Sequence, residues 1–175
     1  RCTWKSTVLR QKHSVHEWST LLRHLAYQAE SFDRTAPLLL TLAEHEEGNN
    51  VDCRGAWKEM FRIGLSGTMA PPAQRVRLLE QLLTTTAGKR RELTWEGVEA
   101  MLEANHISSS HDFSFGARPH GYGWEPQSQT EVLMWFECAF ALLRRVAASG
   151  DDGLKWVRTA LAAHFREVWS CGVVD

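Results

Sequence analysis

The chain has 175 residues, 43% of them hydrophobic, and its 20 basic and 21 acidic side chains give a formal net charge of −1. The balanced charge disfavours a general nucleic-acid binder, because such domains are usually basic, although it does not exclude a local basic patch. No stretch approaches the roughly 18 consecutive apolar residues of a membrane-spanning helix, so we expect no membrane association.

The first two predicted helices lie between residues 14 and 50. Ser14 and Glu17 have the spacing of a capping box, at the start of a helix expected to run to about Gln28. Residues 31–33 are expected to cap a second helix that ends in the run 45–50. In that helix a proline, Pro37, is tolerated near the start and otherwise produces a kink. The buried stripe of the first helix is predicted to be Trp18, Leu21, Leu22 and Leu25.

Three further helices are predicted between residues 52 and 104. The third covers about 52–65 and stops at Ser66–Gly67. Pro71–Pro72 opens the fourth, because proline fits the first helical turn, where its missing N–H costs nothing. Gly88 separates the fourth helix from the fifth, which is expected at about 89–104. The residues that these helices are expected to bury are Trp57, Met60, Phe61, Val76, Leu79, Leu82, Leu83, Trp95, Val98, Met101 and Leu102.

The last two helices are expected at about 130–148 and 152–170. Thr130 is predicted to cap the sixth, whose apolar stripe covers about half the circumference and indicates contacts on two sides. The seventh is predicted to bury Leu154, Val157, Leu161, Phe165 and Val168. Trp156 points away from that stripe, and we expect a further repeat or another subunit to cover it rather than the N-terminal segment.

The pattern as a whole predicts an all-α fold, since no segment shows the alternation of a β-strand. We expect about seven helices in antiparallel pairs, with one long ordered loop at about 106–129. This arrangement suits an α-solenoid of the HEAT or armadillo type or an irregular helical bundle. No motif recurs at a fixed period. The solenoid is favoured because both ends break off in mid-pattern, and we expect residues 1–175 to be a single helical-repeat-like domain of a larger protein.

The segment His106–Pro126, HISSSHDFSFGARPHGYGWEP, interrupts the helical pattern. Its glycines and prolines exclude a helix, and its aromatic residues are not typical of a disordered linker, so we expect an ordered loop. Ordered long loops often carry function, and arginine and large aromatic residues dominate binding hot spots. Alternatively, the aromatic residues fix the loop to the core while its arginine bonds loop carbonyls or a helix end. The binding residues predicted here are Phe115, Arg118, His120, Tyr122 and Trp124.

A metal or catalytic site in the same loop is the weaker alternative. His106, His111 and His120 with Asp112 supply ligands suited to zinc or iron. Their spacing matches no known motif, and we expect these groups to bond the backbone instead. A small helical enzyme or metal-binding protein that uses the loop is therefore the competing hypothesis. The primary prediction is a chain with no catalytic residue, no metal and no cofactor.

The fifth helix carries a column of acidic residues. Paired carboxylates serve as acid and base in glycoside hydrolysis or as ligands in di-iron bundles, but the second Glu-x-x-His motif that a di-iron bundle needs is missing. We therefore expect a solvated face neutralised by nearby basic residues. The acidic residues are Glu92, Glu96, Glu99 and Glu103, and the expected partners are Arg75, Arg77, Lys89, Arg90 and Arg91. A phosphate contact by those basic residues is the less favoured alternative.

The four cysteines, Cys2, Cys53, Cys138 and Cys171, lie far apart. Their spacing excludes a zinc knuckle. Cys138 falls in an apolar helix, where a thiol behaves as a small hydrophobic side chain. We expect structural thiols in a reducing cytoplasm.

Three segments carry a resemblance to a known family: HEWSTLLRHLAYQAESFDRTAPLLLTLAEHE, MFRIGLSGTMAPPAQRVRLLEQLL and the loop 106–126. They resemble the helical region that follows the nucleotide-binding module in large bacterial STAND-type NTPases, which look like antiviral or stress sensors. The resemblance covers about His16 to Trp135. It implies a helical scaffold beside an NTPase, not hydrolysis by this chain, because LSGT at Leu65–Thr68 lacks the lysine and the first glycine of a P-loop.

The combined expectation is a non-catalytic helical scaffold and protein-interaction module of a larger bacterial protein, located in the cytoplasm. Its expected partner is another protein or another domain of the parent chain. Nucleic acid is not expected as a partner, and the sequence does not predict an oligomeric state.

Overall fold

A computed structural model describes residues 12–46, 52–104 and 120–172 of the protein. These residues form seven α-helices and no β-strand, so the all-α prediction is confirmed. None of the helices in these ranges has both the length and the hydropathy needed to cross a bilayer. The helices are α1 (Lys12–Ala26), α2 (Ala29–His45), α3 (Asp52–Glu59), α4 (Pro72–Thr85), α5 (Gly88–Ala100), α6 (Gln129–Ala148) and α7 (Asp151–Ser170).

The ends of several helices differ from their predicted positions. Helix α1 already includes Lys12, so Ser14 lies inside it and is not its N-cap. Helix α3 ends at Glu59, and the residues that follow it form turns. Helix α6 is capped by Ser128 and not by Thr130, because the hydroxyl of Ser128 accepts a hydrogen bond from the backbone N–H of Glu131. The prediction for α4 was right, since Pro72 occupies its first turn.

The helices pack as a connected series around one core. Helices α1, α2 and α3 contact one another, and α5 lies against both α2 and α3. Helix α4 packs between α5 and α6, and α6 packs against α7. Apart from Tyr27, the buried hydrophobic side chains of the described residues belong to one cluster that includes side chains from all seven helices. The proposed relation to HEAT or armadillo repeats stays a prediction.

Helices α6 and α7 form an antiparallel hairpin. The side-chain amide of Gln129, in the first turn of α6, donates a hydrogen bond of 2.8 Å to the carbonyl of Cys171, just beyond the end of α7. At the other end of the hairpin the two helices approach closely, since a Cβ added to Gly153 would lie 2.3 Å from the carbonyl oxygen of Val146. Small residues therefore mark the side of α7 that faces α6.

The buried face of α7 differs from the predicted stripe. Val157 and Val168 are buried as expected, but the other fully buried positions are Gly153 and Ala160. Phe165 is 58% exposed, so its predicted burial is wrong. The helix turns its small residues toward α6 because they permit the close approach, and this rotation leaves the larger Phe165 outside.

The predicted stripe of α1 is also wrong at three of its four positions. Leu22 is buried, whereas Trp18, Leu21 and Leu25 are 45%, 37% and 49% exposed. The buried face of α1 contains Ser19, Leu22, Arg23 and Ala26 instead. The guanidinium group of Arg23 lies 2.7 Å from the carboxylate of Glu59 at the end of α3. This ion pair explains how a basic residue occupies the face that packs against the other helices.

Trp156 is covered by helix α5 rather than by a further repeat. Its indole stacks on that of Trp95, with the ring centroids 4.0 Å apart and the planes inclined by 30°. The expectation that another repeat or subunit covers this residue is therefore wrong. The stack joins α7 to α5, with both rings partly buried against the core.

Two residues of the predicted acidic column, Glu96 on α5 and Glu103 just beyond its end, pair with α3 and the turn that follows α3. The carboxylate of Glu96 accepts two hydrogen bonds from Arg54. Glu103 lies 2.9 Å from the Nε atom of Arg62 and 2.5 Å from the ammonium group of Lys58. The predicted basic partners were wrong for these two residues. Among those predicted partners, Arg77 pairs with Asp33, Arg90 with Glu44, and Lys89 donates to the carbonyl of Glu46.

Candidate functional site

Three segments that are distant in the sequence meet beside the core, and we call this region the three-segment junction. They are residues 26–27 at the end of α1, residues 66–70 between α3 and α4, and residues 120–124, the described end of the predicted loop. Backbone hydrogen bonds connect them: the N–H of Gly67 donates to the carbonyl of Tyr122 at 2.8 Å, that of Trp124 to Thr68 at 2.7 Å, and that of Met69 to Tyr27 at 2.7 Å. Residues 66–70, the middle segment, are therefore hydrogen-bonded to both of the other segments.

Thr68 is the centre of the junction. Its side chain is fully buried, and its hydroxyl donates a hydrogen bond of 2.7 Å to the carbonyl of Ala26 while accepting one from the backbone N–H of Ala70. Gly123 has a φ of +97°, and a Cβ at this position would lie 2.5 Å from the backbone nitrogen of Thr68. Only glycine combines that backbone conformation with so close an approach.

Arg75 stabilises the middle segment from inside the core. Its side chain is completely buried, and its donors bond neutral oxygen atoms. Nε donates to the carbonyl of Ala70 at 2.8 Å, and one terminal nitrogen donates to the carbonyl of Arg62 at 2.9 Å. The other terminal nitrogen donates to the hydroxyl of Ser66 at 3.1 Å and to the carbonyl of Thr68 at 3.2 Å. Four bonds from one side chain therefore fix the course of residues 62–70.

Two indoles lie beside the Arg75 guanidinium group. Its central carbon is 5.1 Å from the ring centroid of Trp135 and 5.9 Å from that of Trp124. These distances allow cation–π attraction, which partly replaces the lost hydration. Burial lowers the pKa of Arg75 to about 9. The group therefore stays protonated at neutral pH, and the four acceptors favour that charged form.

Trp124 faces the core. Its ring is stacked on that of Trp135, with the centroids 5.6 Å apart and the planes inclined by 17°. Trp135 is itself buried and donates a hydrogen bond of 2.9 Å from its indole to the carbonyl of Met101. This geometry agrees with the alternative in which aromatic residues fix the loop to the helices.

The other predicted binding residues have different positions. The ring of His120 lies against that of Tyr27, with the centroids 4.3 Å apart. Tyr122 has a side chain that is 53% exposed, and Met69, in the middle segment of the junction, is 42% exposed. Phe115 and Arg118 lie outside the described residues, so three of the five predicted binding residues are seen at the junction: His120, Tyr122 and Trp124.

The metal alternative concerns residues that mostly lie outside the described ranges. His106, His111 and Asp112 are among them, whereas His120 is described. Within residues 12–46, 52–104 and 120–172, no group of three or more His, Cys, Asp or Glu side chains is arranged to hold a metal ion. The metal and enzymatic alternatives stay predictions.

The described cysteines have structural surroundings. Cys53 is completely buried in the core. Burial raises the pKa of the Cys138 thiol and that of the Cys171 thiol, so both stay protonated at neutral pH. Cys2 lies outside the described residues.

Sequence reasoning missed Arg75, Thr68 and Met69 as members of this site. A usable signal existed for Arg75, which precedes Leu79 by four residues and Leu82 by seven and so belongs to the apolar stripe of α4. A basic residue in such a stripe must find acceptors inside the protein. Thr68 and Met69 carry no comparable signal, because their environment depends on two segments that are remote in the sequence.

Comparisons with protein-family models, with curated proteins and with solved structures find no match to this chain. A function is therefore inferred from the chemistry and geometry of the junction and from the family resemblance of the sequence.

Proposed function

We propose that this chain is a non-catalytic helical scaffold and protein-interaction module of a larger, cytoplasmic bacterial protein, and that it binds its partner through the three-segment junction. The observation that carries the proposal is the exposure of Tyr122 and Met69 on backbone that is hydrogen-bonded to neighbouring segments. Tyrosine is enriched at binding hot spots, and methionine adapts its shape to a partner surface.

The rigidity of the junction supports this role. The carbonyl of Tyr122 accepts from Gly67, and the N–H of Met69 donates to Tyr27. Because the backbone is ordered before binding, a partner does not have to supply the free energy of ordering it. The ring of His120 packs against the buried ring of Tyr27, which ties residues 120–124 to the end of α1.

The surroundings of Arg75 support a structural role for the only basic side chain among residues 66–75. Its donors bond four neutral acceptors, and its position in the core gives a substrate no access to it. A catalytic arginine is aimed at charge that develops on a substrate. The described part of the junction is therefore better suited to recognition than to chemistry.

The resemblance to the helical region of STAND-type NTPases suggests which partner to test first. In such a protein the module would contact other domains of the same chain, including the nucleotide-binding module. We therefore propose that the junction docks against another domain of the parent protein. Nucleotide chemistry is assigned to that other domain, because Leu65–Thr68 does not form a P-loop sequence.

Calorimetric titration of the purified chain with the remainder of the parent protein tests this proposal. The double substitution Tyr122→Ala and Met69→Ala should weaken binding by about tenfold or more, since each change removes an exposed anchor. Glu92→Ala is the matched control, because Glu92 is exposed on α5, and it should leave the affinity unchanged. Unchanged affinity in the double variant, with an unchanged thermal midpoint, contradicts the proposal, as does nucleotide hydrolysis by the chain alone.

A further inference from the structure

The outer face of α7 exposes two large aromatic side chains. Phe165 is 58% exposed and Trp169 is 53% exposed. Their ring centroids are 5.7 Å apart and their planes are inclined by 35°. The rings are therefore neighbours on successive turns of one helix, and each retains exposed aromatic surface to which a planar group can stack.

The same face carries three exposed basic residues, Lys155, Arg158 and Arg166. Among the described residues, none of the three has a carboxylate within ion-pair distance. At about 100° per residue, all three fall within an arc of roughly 100° together with Phe165 and Trp169. Along the helix axis Arg158 lies about two turns before Phe165, so Lys155 and Arg158 form a basic end of this face, and the two rings with Arg166 form the other end.

The acidic residues of α7 do not neutralise this face. Glu167 lies on the other side of the helix, where its carboxylate accepts a hydrogen bond of 2.9 Å from the backbone of Ala104 and lies 3.4 Å from the ring of His164. Asp151 falls within the same arc, one turn before Lys155, but both it and Asp152 are confined to the first turn of α7. The remaining length of the outer face is therefore locally cationic in a chain whose formal net charge is −1.

We propose that this surface, which we call the α7 outer face (Lys155, Arg158, Phe165, Arg166 and Trp169), binds single-stranded nucleic acid. A single strand supplies both chemistries that the surface can recognise. Its unpaired bases stack on aromatic rings, and its phosphates attract arginine and lysine. The surface is expected to contact the phosphates and the flat faces of the bases. Because DNA and RNA share both features, it binds either of them.

Other occupants fit the surface less well. Bases within a duplex are already stacked on one another and offer no free face to Phe165 or Trp169. A second copy of this chain would bring two sets of like charges together. A membrane surface fits an apolar stripe that runs along a helix, whereas the large exposed apolar side chains of this face are two rings near one end of α7. An acidic peptide satisfies the cations without using the exposed ring faces.

The first experiment measures fluorescence anisotropy of labelled twelve-nucleotide oligo-dT and oligo-rU on addition of the full chain at low salt. We expect both to bind, with an affinity that falls as salt rises, because phosphate contacts release counterions. The double substitution Phe165→Ala and Trp169→Ala should weaken binding by about tenfold or more. Arg158→Gln with Arg166→Gln should weaken binding and reduce its salt dependence.

Two controls separate this surface from general effects. Leu38→Ala removes another exposed apolar side chain, on α2, and Arg77→Gln removes an exposed arginine on α4; neither should change the affinity. All four α7 positions are exposed, and far-ultraviolet circular dichroism verifies that the variants retain their helices.

Several results would overturn the proposal. Absence of oligonucleotide binding at low salt is one, and equal affinity for a duplex of the same length is another. Competition by poly-glutamate as effective as that by unlabelled oligo-dT would assign the surface to acidic protein. Binding to phosphatidylserine vesicles without binding to oligonucleotides would assign it to membranes. None of these results concerns Tyr122 or Met69. If the α7 outer face does not bind nucleic acid, the proposed docking through the three-segment junction is therefore unaffected.

Discussion

The guanidinium carbon of Arg75 lies 5.1 Å from the centre of the Trp135 indole, inside the core of the protein. The hydrogen-bond acceptors around this cation are neutral carbonyls and a hydroxyl. The charge is thus stabilised by oriented dipoles and by the electron-rich faces of aromatic rings. This arrangement couples helix α4 to the connection that precedes it and to helix α6.

Replacement of Arg75 should destabilise the protein strongly. Arg75→Met keeps an apolar stem of similar length but removes the donor of four hydrogen bonds, and of their acceptors the Thr68 carbonyl keeps a second donor, the N–H of Trp124. We expect the free energy of unfolding to fall by about 3–5 kcal/mol, measured by urea denaturation. Arg77→Met, on the exposed side of the same helix, should cost less than about 1 kcal/mol. Equal effects of the two substitutions would contradict the assigned role of Arg75.

Gly123 should be the least replaceable glycine of the described loop end. In Gly123→Ala the new methyl group would lie 2.5 Å from the backbone nitrogen of Thr68, in a residue whose φ is +97°. We expect a loss of about 2–4 kcal/mol in unfolding free energy, because the strain and the lost backbone bonds add together. Gly121→Ala has no atom within 4 Å of the added carbon and should change stability by less than about 1 kcal/mol.

The stack of Trp95 on Trp156 should appear as a measurable coupling between α5 and α7. Trp156→Ala should reduce the unfolding free energy by about 2–3 kcal/mol, whereas Trp169→Ala, an exposed tryptophan on the same helix, should cost less than about 1 kcal/mol. In a double-mutant cycle with Trp95→Ala, we expect a coupling energy of about 0.5–1.5 kcal/mol. Additive effects would show that the rings do not stabilise each other.

Glu103 should make stability depend on pH in the acid range. Burial tends to raise the pKa of this carboxyl group, but hydrogen bonds from Lys58 and Arg62 outweigh it and hold the pKa below its ordinary value of 4.5. The carboxylate therefore contributes stability above about pH 4.5, and this contribution is lost as the pH falls through the lower folded-state pKa. Glu103→Gln should cost about 1 kcal/mol at neutral pH, with a difference from the wild type that narrows below about pH 4.

Urea titrations at neutral and acid pH measure that difference. Glu92→Gln, at an exposed position of α5, should change the unfolding free energy by less than about 0.5 kcal/mol at both pH values. A Glu103→Gln deficit that stays constant across the acid range would show that the interactions of Glu103 do not depend on its charge.

The helices were predictable because they depend on local spacing and breakers. Pro72 and Gly88 mark the starts of α4 and α5 as expected. The buried faces of α1 and α7 were not predictable. Hydrophobic periodicity identifies a face by its large apolar residues, whereas two helices that pack closely also need small residues at their contact. Gly153 faces α6 for that reason, and Phe165 turns outward. In α1, a buried ion pair between Arg23 and Glu59 defines the inner face, and no local pattern reveals such a partner.

The candidate site was predictable only in part. The aromatic content of residues 120–124 indicated an ordered segment, and the structure places His120, Tyr122 and Trp124 at the junction. The sequence could not show that Trp124 turns inward while Tyr122 stays exposed. That difference follows from the bonds of this segment to Gly67 and Thr68, which belong to another part of the chain.

The three-segment junction also constrains the order in which the chain folds. The hydroxyl of Thr68 bonds the carbonyl of Ala26, which is 42 residues earlier in the sequence. Trp124, whose N–H bonds the carbonyl of Thr68, is separated from Thr68 by an even longer stretch of chain. Closing such loops is entropically unfavourable until the intervening helices have packed, so the junction forms late, after the local contacts of α1 to α4. We expect the hydrogen-bonded amides of Gly67, Met69 and Trp124 to exchange with solvent only when those helices separate. Irregular backbone at this point should therefore be as protected from exchange as the helices around it.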